Sequence, residues 1–64
     1  MHITKKSGLT GKVHTRDIPV KPEDYADWQF GQNSIQECIP YLSADDREFL
    51  MTGITPEEWE AAFG

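Results

Sequence analysis

Pro19, Pro22, Pro40 and Pro56, together with Gly8, Gly11, Gly31, Gly53 and Gly64, cut this chain into short segments and leave no room for a long helix or strand. Proline lacks an N–H and ends helices and ladders, while glycine takes the turn conformations other residues avoid. The spacing of these residues therefore dictates an assembly of short elements, and the sequence between them says which kind.

His2 to Lys5 and Lys12 to Val20 lean toward strand, and Ser7-Gly8-Leu9-Thr10-Gly11 between them carries two glycines suited to a hairpin loop. A five-residue loop sets His2 opposite Arg16 and Thr4 opposite His14, making the two histidines diagonal neighbours on one face. Val13 falls on the opposite parity from Ile18 and Val20, which predicts a bulge or bend around Thr15 to Asp17. Pro19 marks that end as an edge or an exit.

From residue 20 the signals are helical. Pro22 begins a segment to residue 30 with Glu23 and Asp24 in its first turn, and Gly31 stops it. Ile35, Cys38, Ile39 and Leu42 make an i, i+3, i+4, i+7 stripe capped by Asn33 or Ser34, which Pro40 ends or kinks near Cys38. Ser43 caps a helix over 44–52 that ends at Gly53. Ile54-Thr55-Pro56-Glu57-Glu58-Trp59 combines a cap, a first-position proline, a capping box and a staple, and predicts Trp59, Ala62 and Phe63 as an inward stripe. The similar openings at Val20 and Ile54 follow from common capping physics rather than from duplication. The expected fold is α+β: one small domain over 1–64, an N-terminal β-hairpin followed by three or four short α-helices.

A 64-residue chain hides only about 60% of its unfolded surface, so its core is marginal. One cysteine, Cys38, cannot form an intramolecular disulfide, which fits a reducing cytoplasm. No apolar run approaches the roughly 20 residues a bilayer requires, and no hydrophobic segment follows Met1 to Lys6, so neither export nor membrane insertion is expected.

The net charge of -5 conceals a division at residue 21. Lys5, Lys6, Lys12, Arg16 and Lys21 face one carboxylate, Asp17, in the first part; Arg47 stands against ten in the second. A basic hairpin and an acidic helical part follow, able to steer partners of either sign or to attract each other.

Chemistry finds little support. His2, His14 and Cys38 lack the short spacings of a zinc site. Cys38 lies on an apolar stripe and reads as a small buried residue rather than a nucleophile. Asp45-Asp46 and Glu57-Glu58 are adjacent on helices, point about 100° apart and suit the helix dipole rather than a cation. Gly8-Leu9-Thr10-Gly11-Lys12-Val13 lacks the spacing and the hydroxyl of a phosphate loop and sits in a turn. No cofactor and no catalytic residue are expected.

Binding is better supported. Lys5, Lys6, Lys12 and Arg16 form a candidate basic patch for nucleic acid, though without interleaved aromatics for stacking. Asp45, Asp46, Glu57, Glu58 and Glu60 form a candidate acidic surface that suits a basic cleft or mimics a phosphate backbone, while Arg47 is expected to anchor one or two carboxylates. Seven aromatics exceed what so small a core encloses, and Trp28 and Tyr41 are the candidates for a partner surface, with self-association expected.

The stretch Ile39-Pro40-Tyr41-Leu42-Ser43-Ala44-Asp45-Asp46-Arg47-Glu48-Phe49-Leu50-Met51-Thr52-Gly53-Ile54-Thr55-Pro56-Glu57-Glu58-Trp59 resembles a segment of short uncharacterised proteins encoded by bacteriophage and phage-like genomes. The resemblance implies a viral origin, and no catalytic residue comes with it. The function expected is a non-enzymatic protein-binding module, a small phage accessory protein acting on a host or viral macromolecule in the host cytoplasm. The alternatives are an acidic nucleic-acid mimic that inhibits a DNA- or RNA-binding enzyme, and direct nucleic-acid binding through the hairpin.

Overall fold

The computed structural model describes residues 1–31 and 33–64. Two antiparallel strands, β1 (His2–Lys6) and β2 (Val13–Asp17), are followed by α1 (Pro22–Phe30), α2 (Ile35–Cys38), α3 (Ala44–Thr52) and α4 (Pro56–Phe63). The core is built from Ile3, Ile18, Val20, Ile35, Ile39, Leu42, Phe49 and Leu50, contributed by hairpin and helices alike. Burial of this shared apolar set makes one α+β domain of the basic and acidic parts.

The hairpin pairs one residue away from the expected register. His2 faces Asp17, Thr4 faces Thr15 and Lys6 faces Val13, so the loop holds residues 7–12. Ser7 is the cause. Its N–H donates to the Lys12 carbonyl at 2.8 Å, and its hydroxyl accepts the N–H groups of Leu9 and Thr10 at 3.1 and 3.2 Å. These bonds draw Lys12 into the turn, closed by Gly11 at a φ of 77°. The histidines consequently lie on opposite faces of the hairpin, His14 inward with Lys5 and Arg16, His2 outward.

The expected bulge is absent as well. Alternation runs unbroken from Val13 through Arg16 to the buried Ile18 and Val20; Val13 sits on the outer face, 66% exposed, and the inward positions of β2 are polar. The parity conflict came from treating Val13 as a core residue. β2 also ends at Asp17 rather than Val20. There the Val20 N–H donates to the Ile18 carbonyl at 2.7 Å, a tight turn centred on Pro19 that needs no donor from the proline.

The helices follow their local signals. Ser34 caps α2, which stops at Cys38 because Ile39 precedes Pro40 and adopts a non-helical φ of -134°. Ser43 caps α3 through the Asp46 N–H at 3.2 Å. The hairpin closes the other end of α3: Lys5 Nζ donates to the Leu50 carbonyl at 2.7 Å and the Gly8 N–H to the Thr52 carbonyl at 2.9 Å. A helix C-terminus leaves such carbonyls without partners, and a cation there also suits the helix dipole. Gly53, at a φ of 77°, is required on two counts, since a Cβ there would lie 2.4 Å from the Lys6 carbonyl oxygen.

α4 departs from expectation. Its capping box forms, but none of its residues is buried, and Trp59 and Phe63 are 48% and 64% exposed instead of turning inward. The core is already filled by Phe49 and Leu50 of α3, so the stripe on α4 has nothing to pack into. Among the described residues no helix is long and apolar enough to cross a membrane.

Candidate functional site

The hairpin's four basic residues do not form one patch. Lys6 and Lys12 are exposed, whereas the pleat turns Lys5 and Arg16 toward α3. Lys5 holds the Leu50 carbonyl, and the Arg16 guanidinium lies over the Phe49 ring, 5.4 Å from its centroid, with Nη1 3.8 Å from Asp46 Oδ1. A cation above an aromatic face is attracted by the ring quadrupole. Two of the four positive charges thus serve the attachment of α3, and two remain for solvent or a partner.

On the acidic side the same division appears at Glu58, which ties α4 to the hairpin. Its carboxylate accepts the Thr55 N–H at 3.1 Å, and Thr55 Oγ1 accepts the Glu58 N–H at 3.1 Å, completing the capping box. The other carboxylate oxygen accepts the Thr10 hydroxyl and lies 3.0 Å from His14 Nε2, an ion-pair approach rather than an aligned hydrogen bond. The Thr10 hydroxyl is the main reason the carboxyl is held down at about 2; partial burial opposes it, and His14 and the Thr55 N–H add to it. Asp46 is similarly engaged with Arg16. Asp45, Glu57 and Glu60 remain exposed.

Around this anchor the surface is apolar. Trp59 and Phe63 stack in a tilted pair with centroids 4.6 Å apart and stand in solvent on one side of α4. On its other side an open groove of about 580 Å3 separates α4 from the hairpin loop, walled by Leu9, Ala61 and Ala62, with Lys12, His14 and Glu58 along it. Exposed apolar area gathered on one element marks an interaction surface.

The two aromatics singled out for a partner have other positions. Trp28 is half-buried, packs against the core and meets Tyr25 edge to face at 6.0 Å. Tyr41 is 49% exposed, and its hydroxyl donates to Asp24 Oδ2 at 2.7 Å while accepting the Lys21 N–H at 3.0 Å. The Tyr41 hydroxyl thus satisfies the N–H of Lys21, the N-cap residue of α1, whose own side chain makes no cap bond. Desolvation, and secondarily Asp24 and Glu23 against the opposing Lys21 N–H, raises the Tyr41 hydroxyl above its ordinary value.

The sequence reading missed Trp59 and Phe63. The signal was the aromatic count itself, which demanded exposed rings but did not say which.

Cys38 is half-buried against the core rather than fully enclosed. Desolvation and then Asp27, Glu37 and Asp24 raise its thiol, the opposite of what a nucleophile needs. Arg47 makes no ion pair among the described residues, contrary to its expected role as an anchor. Among the described residues no three of His, Cys, Asp and Glu converge to hold a metal ion.

No protein-family model, no curated protein and no solved structure matches the chain. The arrangement of its own residues is therefore what supports a function.

Proposed function

We propose that this chain is a non-enzymatic protein-binding module, a small phage accessory protein that engages a host or viral macromolecule in the host cytoplasm. The observation that supports it is the α4 surface: two stacked aromatics, Trp59 and Phe63, exposed on a helix that buries none of its residues. Interface energy concentrates in such rings, because they offer a large rigid apolar area at low entropic cost. The phage assignment draws on the resemblance of residues 39–59. Self-association belongs to the same reading, and Phe30 and Met51, 90% and 55% exposed, add apolar surface away from α4.

The test is affinity capture from nuclease-treated host lysate, with light scattering on the purified chain. The wild type should retain a protein or form an oligomer. A Trp59→Ala/Phe63→Ser variant, folded by circular dichroism, should lose at least one of these. A monomeric wild type that retains no protein overturns the reading. Mimicry of nucleic acid draws on Asp45, Glu57 and Glu60, the exposed members of the acidic set. Its distinct outcome is a captured nucleic-acid-binding enzyme released by added DNA or RNA.

A further inference from the structure

A cleft of about 220 Å3 opens between the starts of α3 and α4, walled by Ala44, Ile54, Pro56 and Trp59 and edged by Asp45 and Glu48. Neither carboxylate has an ion-pair partner among the described residues, whereas the neighbouring first-turn acids Asp46 and Glu58 are held by Arg16 and His14. Two helix N-termini also open here, each equivalent to about half a positive charge. Asp45 and Glu48 bring two full negative charges, and Asp46, Glu57 and Glu58 already lie in the same first turns. The rim is therefore negative, above walls that are apolar and partly aromatic.

That combination is complementary to one kind of side chain. Lysine and arginine carry an apolar stem ending in a cation, and an indole face with nearby carboxylates satisfies both parts. We propose that this cleft receives an arginine or lysine from a basic segment of another protein, with an adjacent apolar residue of that segment resting on Phe63. The inference rests on the protein-binding reading of α4 and adds the chemistry of the partner. A second copy of this chain is the weaker occupant. Its net charge of -5 opposes docking onto a second negative rim, although Lys6, Lys12 and Lys21 are exposed.

The probe is a blocked hexapeptide of sequence Gly-Leu-Arg-Arg-Leu-Gly, compared with its citrulline counterpart, which keeps the shape and loses the charge. Binding is followed by the indole N–H resonances, with half-buried Trp28 as internal reference. The arginine peptide should shift Trp59 saturably. The citrulline peptide, which loses both the cation–π contact and the ion pair, should bind about tenfold more weakly, and the Asp45→Asn/Glu48→Gln protein, which loses only the ion pair, about threefold. Equal binding of the two peptides, indifference to the double substitution, or an unmoved Trp59 resonance overturns the proposal. Retaining the lysate partner with Asp45→Asn/Glu48→Gln but not with Trp59→Ala/Phe63→Ser removes the cation-binding role of the cleft and leaves the binding module standing. Retaining it with both variants removes α4 as the binding surface.

Discussion

α3 and α4 begin with the same chemistry and have opposite standing in the molecule. Each opens on a hydroxyl cap, Ser43 or Thr55, followed by two first-turn carboxylates, and they run nine and eight residues. α3 buries Phe49 and Leu50 and has its C-terminal carbonyls closed by Lys5 and Gly8 of the hairpin. α4 buries nothing and is tied down mainly through Glu58. A cap decides where a helix starts, and only packing decides whether it belongs to the core. The helix with the more complete N-terminal cap is here the peripheral one.

The largest expected effect tests the core side of this contrast. Phe49→Ala removes a fully buried ring that also carries the Arg16 guanidinium, and should cost about 3–5 kcal/mol. A domain of 64 residues has only roughly 0.1 kcal/mol per residue in hand, about 6 kcal/mol in all, so the variant should lose half or more of its stability, read as a sharply lowered midpoint in urea titrations followed by near-ultraviolet dichroism. A midpoint close to wild type would mean that α3 is not what holds the domain together.

Gly53→Ala comes next. The left-handed backbone and the 2.4 Å approach of an added Cβ to the Lys6 carbonyl oxygen act together, for a loss of about 2 kcal/mol or more. Gly11→Ala is the control. It has the same φ of 77°, but its nearest neighbour is the flexible Lys6 side chain at 3.8 Å, and it should cost about 1 kcal/mol. Equal losses would show that the junction of α3 with the hairpin is not tight.

Most of the fold was legible because helix boundaries depend on residues close in sequence. Pro22, Ser43, Gly53 and the capping box at Thr55 act over three or four positions, and all four signals landed where they were read. The register of the hairpin depended on Ser7 accepting two N–H groups of its own loop, which no alternation pattern reveals. The outward turn of Trp59 and Phe63 depended on what else had filled the core, a question of competition among distant segments. Lys5 and Arg16 looked like half of a basic patch for the same reason. Whether a lysine meets solvent or a helix carbonyl 45 residues away is settled only by the assembled fold.

Acid should separate the two helices. The Glu58 carboxyl is lowered from 4.5 to about 2, so its contribution to stability is complete above the unfolded value. It is lost as pH falls from about 4.5 through about 2. Amide resonances of α4 should broaden or shift over that interval ahead of those of α3. Glu58→Gln should flatten the response, because glutamine keeps the geometry without the charge. Simultaneous loss of both helices would merge the two into a single cooperative unit.

Replacing the caps asks the same question at smaller cost. Ser43→Ala and Thr55→Ala each remove one hydroxyl acceptor, worth about 1 kcal/mol. The local cost is similar and its reach should differ. Losing the cap of α3 should lower the global urea midpoint, while losing that of α4 should speed hydrogen exchange within residues 56–63 and leave the core amides protected. A global shift from Thr55→Ala of the same size would show that α4 contributes to the cooperative core despite its exposure.

The smallest effect on stability should come from the residue most important to the proposed function. Phe63 is 64% exposed and touches Trp59 rather than the core, so Phe63→Ser should stay within about 0.5 kcal/mol of wild type. Phe49→Ala alters the same residue type one helix earlier and should cost several times more. If Phe63→Ser leaves the urea midpoint in place and abolishes partner capture or self-association, its ring serves a surface and not the fold. If the midpoint falls by 1 kcal/mol or more, the stacked pair stabilises α4 itself, and the contrast between the two helices narrows to their different depths in one core.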